Sequence, residues 1–368
     1  MFKKYRLLKW ISLCIGSLVV IALCFGLWFL SLIPPKDAQI ELTVAKDLPY
    51  LSENKITNRG KILAVVTSTK KMGDTNKSTG YELSELAQAY YVFQANGFEV
   101  DIASPKGGKA PVVIDKEDMI SYDYAFLNDT KAQFKTSNTI KLENVDAENY
   151  DAIFFVGGKG AMFDFPDNKE IQNIVKDYYQ SNKVIGAVCH GPAALVNVTL
   201  DNGRPLLENK KVSSFTNKEE LLLISDAKSI FPFLLQEKII EQGGNFIEGP
   251  MYLETTSYDK NLITGQNPWS TWKLAESMII ELGYNPKQRQ KTGDENAVYV
   301  LAMYKKDGKQ KAKQLIENLL LKENKPLNRV LLAKHSLISA MKGEVSQFFS
   351  LVGLVSFAKK SENKLAKI

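Results

Sequence analysis

Cys189 and His190 stand side by side in a chain of 368 residues that holds three cysteines and two histidines. A thiol beside an imidazole is a nucleophile beside a base, and the thiolate is the reactive form. The pair sits in KVIGAVCHGPAALV, residues 183–196, where an apolar run ends and a helix-like Gly-Pro-Ala-Ala begins. Ala187 two residues before the thiol and Gly191 two residues after it allow a sharp strand-to-helix turn, which would expose the side chain in a strained elbow. The helix start behind it offers free N–H groups and a positive dipole end, both of which favour thiolate. A cysteine buried ahead of a helix would look similar without doing chemistry. The elbow spacing argues for the nucleophile.

Such an elbow needs a strand before it and a sheet around it. KILAVVTS (61–68), FEVDIAS (98–104), YDAIFFVGG (150–158), KVIGAV (183–188), KKVSSF (210–215) and NLITG (261–265) read as strands. Helical spacing occurs over 81–97, 168–182 and 233–244, and over the closing stretch 267–283; PAALVNV and NKEELLLI begin two more helices. Strands alternating with helices predict an α/β fold with a mostly parallel sheet covered on both faces. Sites in such folds lie beyond the carboxyl ends of strands, where both VGG and AVCHG fall. Residues 105–149 show no clear period and are expected to form a lid or inserted loop.

The ends of the chain differ from this middle. Residues 1–36 carry five Lys/Arg and no acid, and residues 287–368 carry seventeen against seven, so the stretch between is net acidic in a chain of formal charge +6. Residues 10–33 hold no charge, and at 1.5 Å per residue about 24 residues can cross a hydrocarbon core of about 30 Å. The exit FLSLIPPK is a poor cleavage site, so an uncleaved transmembrane signal anchor is expected rather than a signal peptide. Cys14 and Cys24 lie in this apolar segment, which leaves no disulfide framework. The basic flank 1–9 predicts a cytoplasmic N-terminus, a single pass, and a body in the periplasm or outside the cell. Residues 34–58 read as a polar linker, 59–285 as the body, and 286–368 as a basic helical extension. Two readings stand for 345–358, which is too short to span: packing on the body, or lying in a lipid interface with Phe348, Phe349, Leu351, Leu354 and Phe357 inward. Nucleic acid is not an expected partner of a body outside the cytoplasm.

AVCHGPAAL resembles the nucleophile elbow of the PfpI-like superfamily, within the class I glutamine amidotransferase-like fold, and in particular its heat-inducible chaperone and glyoxalase III branch. TGYELSELAQAYYVFQANGFEVDIASPKGGKAP (79–111), YDAIFFVGGKGAMFDFPDN (150–168), KVSSFTNKEE (211–220) and LITGQNPWST (262–271) carry the same resemblance in the same order, over about 60–285. It implies a flavodoxin-like α/β sandwich. It implies Cys189 as nucleophile and His190 as its imidazole neighbour. Glu85 falls where the family has an acid touching the thiol, with Glu82 nearby but out of register. Glu220 falls where the family has the acid orienting the histidine, with Glu219 as the fallback. The backbone N–H groups of Gly157 and Gly158 fall at the oxyanion donors. One departure stands out: the family commonly reads Gly-Gly-His-Gly where this chain has Gly157-Gly158-Lys159-Gly160. Lys159 is therefore a substrate-binding candidate for an anionic group, or simply an exposed lysine.

The residues narrow the reaction. The only other histidine, His335, lies in the basic tail and is followed by Ser336-Leu337, so the His-x-Glu of a glutaminase is missing. Two histidines and one thiol give no zinc spacing, and no metal or other cofactor is expected. The leading expectation is a membrane-anchored, cysteine-dependent enzyme acting on reactive carbonyls. It would convert methylglyoxal to lactate without glutathione, or repair glycated protein, through a hemithioacetal on Cys189. A small-amide hydrolase would use the same residues. The other class is a stress-related chaperone or redox sensor with Cys189 as its oxidisable thiol. The expected partners are a small carbonyl compound or damaged protein, the membrane through 10–33 and through the tail 287–368, and a second copy in a homodimer.

Overall fold

The computed structural model describes residues 2–365, with side chains over 9–365. The chain divides into two compact units, one made of Ala38–Arg289 and the other of Met1–Asp37 with Gln290–Ile368.

The first unit is built on a sheet of seven strands: β1 (Lys61–Val65), β2 (Glu99–Ser104), β3 (Ile140–Lys141), β4 (Ala152–Phe155), β5 (Val184–Val188), β6 (Thr256–Asp259) and β7 (Leu262–Gly265). Their order across the sheet is β6-β7-β5-β4-β1-β2-β3. All neighbours run parallel except the β6–β7 hairpin at one edge. Every residue of β4, β5 and β7 is buried, as strands covered on both faces require. This is the flavodoxin-like sandwich.

The helices that cover the sheet follow from their apolar stripes. Along Lys169–Gln180, Ile171, Ile174, Val175 and Tyr178 are buried at three- and four-residue spacing, and the Asn168 side chain caps the first turn by accepting from the Ile171 N–H at 3.0 Å. That helix packs against Ile153, Phe155 and Ile185. The opposite face is covered by Leu83–Ala95, whose Phe93 meets Phe154 edge-on at 5.8 Å, and by Thr271–Glu281.

Four expectations change here. PAALVNV forms only a short 3-10 turn, Gly191–Ala194, and the chain turns away at Asn197 with a positive φ. KKVSSF pairs only at Lys211–Val212, with Asn245–Phe246, in a separate two-stranded ribbon. The stretch 105–149 is folded rather than one irregular loop, and its Val112–Val113 pairs with Tyr81–Glu82. Helices Ser121–Leu127 and Thr130–Ser137 fold within it, and Phe126 packs edge-on against Tyr90 at 5.2 Å. The stretch 38–58 is folded rather than free: Leu48 and Tyr50 are buried, and the Asn96 amide donates to the Tyr50 hydroxyl at 3.1 Å.

The second unit holds α1 (Phe2–Leu32), then α2 (Gly293–Glu317), α3 (Arg329–Met341) and α4 (Val345–Leu365). Within α1, Lys9–Leu32 is long and apolar enough to cross a membrane, with mean hydropathy 2.6. The helix α2 is kinked at Gly308, whose φ of 83° is not helical. Of the apolar residues expected to face lipid in 345–358, Leu351 and Leu354 are buried among the helices instead, because α3 and α4 pack on each other.

Candidate active site

The elbow is held from both sides. The Cys189 N–H donates to the Gly265 carbonyl at the end of β7, and the Cys189 carbonyl accepts from the Phe215 N–H, both at 2.9 Å. Between these anchors Cys189 takes φ +59°, a left-handed conformation that costs a non-glycine residue about 1–2 kcal/mol. Gly191 is needed two residues on, because a Cβ there would stand 2.3 Å from the Phe155 carbonyl oxygen. A strained, pinned residue at a strand end presents its side chain at a fixed angle.

Two carboxyl groups flank the Cys-His pair. On one side the Cys189 sulfur lies 3.3 Å from His190 Nδ1, and His190 Nε2 lies 2.6 Å from Glu220 Oε2. Burial alone would raise the Glu220 carboxyl, but the charge and hydrogen bond of His190 outweigh it and hold the carboxyl below its usual range. Phe215 backs the imidazole, ring centroid at 4.7 Å. On the other side Glu85, fully buried, accepts from the Gly157 N–H at 2.7 Å through Oε2, and its Oε1 is buried with no hydrogen-bond partner. The Cys189 thiol is its neighbour. Burial pushes the Glu85 carboxyl well above the ordinary carboxylate range, and Glu82 adds to the rise. Burial also pushes the Cys189 thiol up, as does Glu85. Two adjoining groups that each resist charge carry at most one negative charge between them near neutral pH.

Glycine at 157 is dictated by this crowding: a Cβ would lie 2.5 Å from Glu85 Oε2 and 2.8 Å from the Cys189 Cβ. The same contact revises a sequence expectation. The Gly157 N–H is taken by Glu85 and is not free to hold an oxyanion. The N–H groups of Gly158 and His190 find no acceptor among the described residues, and an elbow of this kind uses the N–H after its nucleophile.

Glu219, the fallback partner for His190, does a different job. It closes a capping box with Thr216 and its other oxygen accepts from the Tyr252 N–H at 2.7 Å and the Asn267 amide at 3.0 Å. It ties three loops together and leaves the histidine to Glu220.

Lys159 is partly exposed, and its charge acts on Glu82, Glu85, Cys189 and Glu220. Glu82, which the sequence places near Glu85 but out of register with the family acid, lies at this mouth. Glu82 pairs in a two-residue strand with Val113, which brings Asp115 and Asp118 towards it. Burial first, then those acids, raise its carboxyl to about 7, against the pull of Lys159. Its closeness to Glu85 in TGYELSE was visible; the pairing of 81–82 with 112–113 was not. Cys189 as a whole is 4% exposed, so only a small reactant reaches its thiol. A cleft of about 790 Å³ lies elsewhere, lined by Lys61, Phe98 and Glu99 at the amino ends of strands, and it contains neither a thiol nor a histidine.

A model of the DJ-1/PfpI family matches residues 77–281 of this chain. Glyoxalase 3 of Candida albicans is 30% identical over 238 residues, which cover 61% of this chain and 98% of that protein. The crystal structure of glyoxalase III from Candida albicans superimposes with a TM-score of 0.57 at 28% identity, covering 61% of this chain and 98% of that one. The X-ray structure of a rapid encystment protein of Francisella tularensis superimposes with a TM-score of 0.58 at 37% identity, covering 61% and 100%.

Proposed function

The chain belongs to the DJ-1/PfpI family, and from that premise we propose that it is a membrane-anchored, glutathione-independent glyoxalase. The observation that carries this reading is the line Glu85, Cys189, His190, Glu220, in which a raised carboxyl and a lowered carboxyl bracket one thiol and one imidazole. Relatives named glutathione-independent glyoxalases support it.

In this reading His190, backed by Glu220, takes the thiol proton, and the thiolate adds to the aldehyde carbon of methylglyoxal. The carbonyl oxygen is protonated and a hemithioacetal forms. The base then removes the proton from the former aldehyde carbon, giving an enediol, and a proton is returned to the neighbouring carbon. That yields a lactoyl thioester on Cys189. Water attacks the thioester, the Cys189 sulfur leaves and regains its proton, and lactate is released. The sum is methylglyoxal plus water to lactate, with no net redox change. Glu85, held protonated, donates a hydrogen bond to the thiolate and carries the proton between oxygens. The N–H groups of Gly158 and His190 hold the developing oxyanion, and Lys159 favours anionic species at the mouth. The depth of the thiol supports a small carbonyl compound over a protein side chain as substrate.

The anchor is part of the proposal. α1 spans a bilayer, the basic flank stays in the cytoplasm, and the body faces the other side. The test is lactate formation from methylglyoxal by the full-length protein in detergent, without glutathione. Turnover that disappears in Cys189→Ala supports the reading. Equal turnover in both proteins rejects it.

A further inference from the structure

The helices α3 and α4 form a hairpin joined by Lys342–Glu344. Leu331, Leu332, Val352 and Val355 are buried, so the facing sides of the pair are used up in packing. What stays exposed is a different set. Leu337, Met341, Val345 and Phe349 follow one another at four-residue spacing across the tip, with Met341 64% and Val345 62% exposed. Four large apolar side chains in a row at a hairpin tip are more than scattered surface residues.

Contacts to α1 fix the depth of that tip. The Phe348 and Phe349 rings lie 6.1 and 6.0 Å from the Phe25 ring. At the other end of the hairpin, the Arg329 guanidinium donates to the Leu32 carbonyl and the Lys359 ammonium to the Ser31 carbonyl. Glu362 holds Arg329 from behind at 2.8 Å. Two cations thus close the carbonyl end of α1, as its dipole favours. Phe25 is seven residues before Leu32, or about 10 Å inside the helix end. The apolar span of about 36 Å exceeds a hydrocarbon core of about 30 Å by roughly 6 Å. The aromatic cluster therefore lies roughly 4–10 Å below the hydrocarbon boundary, the depth reached by interfacial amphipathic helices. The tip also carries charge: Lys305 of α2 lies close to Lys342 and Glu344. Lys342 and Glu344 pair at 2.6 Å, and Glu344 also accepts from the Gln347 amide at 2.8 Å.

We infer that the tip of the α3–α4 hairpin, Leu337 to Phe349, is a second membrane contact that inserts into the acyl region of the leaflet at the Leu32 end of α1. The inference rests on α1 spanning the bilayer. A wedge beside the anchor fixes the rotation of α1 about its own axis and the height of the C-terminal helices above the lipid.

The test uses the full-length chain with Cys14, Cys24 and Cys189 replaced by serine, reconstituted in phosphatidylcholine vesicles with acyl-brominated lipid. A bimane label is placed singly through Ile21→Cys, Met341→Cys or Gln310→Cys, all at exposed positions. Bromolipid is expected to quench the labels at 21 and 341 by at least about twofold and to leave 310 unchanged, the pattern of a tip at acyl depth. Quenching at 21 with 341 behaving like 310 overturns the inference while the anchor stands; a tip covered by a second copy gives that same result. No quenching at 21 removes the spanning helix and the inference with it.

Discussion

Glu85 and Glu220 are both buried carboxyl groups beside the same Cys-His pair, yet their surroundings drive them in opposite directions. Glu220 meets an imidazole nitrogen at 2.6 Å and is held ionised. Glu85 meets one backbone N–H and a thiol, and burial keeps its proton on. Neither outcome follows from residue type. In the proposed reaction one side of the site accepts a proton and the other gives one. Separated carboxyl pKa values assign acid and base roles in other enzymes by the same logic.

The largest effect is expected on the accepting side. Glu220→Gln keeps a hydrogen-bonding side chain but removes the charge that favours imidazolium, so kcat/KM for methylglyoxal should fall by about 10²–10⁴-fold. Steady-state lactate formation measures it; a loss under about tenfold would remove Glu220 from the base. Gly191→Ala attacks the frame that holds both sides. The Cβ clash with Phe155 should cost about 1–3 kcal/mol in stability, read by denaturant unfolding, and should slow Cys189 alkylation. Unchanged alkylation would mean that the elbow is looser than its contacts imply.

Glu82 sharpens the donating side. Its carboxyl is raised to about 7, so it is neutral below that pH and ionised above it. When ionised it raises both Glu85 and Cys189, and this penalty grows as pH rises through 7. Glu82→Gln should therefore speed Cys189 alkylation by about three- to tenfold near pH 8.5 and leave it unchanged near pH 6. A uniform change at both pH values would contradict the titration. The smallest effect is expected at the mouth. Lys159→Met removes a charge that lowers the thiol pKa, and alkylation at neutral pH should slow by about two- to fivefold, less so at high salt. Lys159→His should recover part of that loss below about pH 6.5, where imidazole is charged.

Much of the central sheet was legible because its strands are short, mostly apolar runs, two of them closed by glycines, and strand-end chemistry is marked by short motifs. AVCHG showed the elbow directly. Edge elements were not legible. Thr256–Asp259 and the two-residue strand at 81–82 carry too few residues for a period, and tertiary contacts define them, while the strand read at 210–215 pairs only over 211–212. Residues 105–149 looked irregular because two short helices and two short strands each end before a pattern repeats. In the site, the residue types and their spacing brought Glu85 and Glu220 forward through a resemblance, but their opposite proton affinities depend on burial and partners. The engaged Gly157 N–H depends on a 2.7 Å contact across 72 residues of sequence. The extension was legible as basic and helical. Which of its apolar residues pack and which stay exposed is decided by the α3–α4 pairing.

The claim that most needs direct measurement is the opposed protonation of the two carboxyls. Infrared difference spectra of the full-length protein at about pH 8, above the raised values of Glu82 and Asp164, report it without turnover. A protonated-carboxyl band lost in Glu85→Gln and retained in Glu220→Gln is the predicted result. No such band in the wild type, or a band lost in Glu220→Gln instead, would contradict the account.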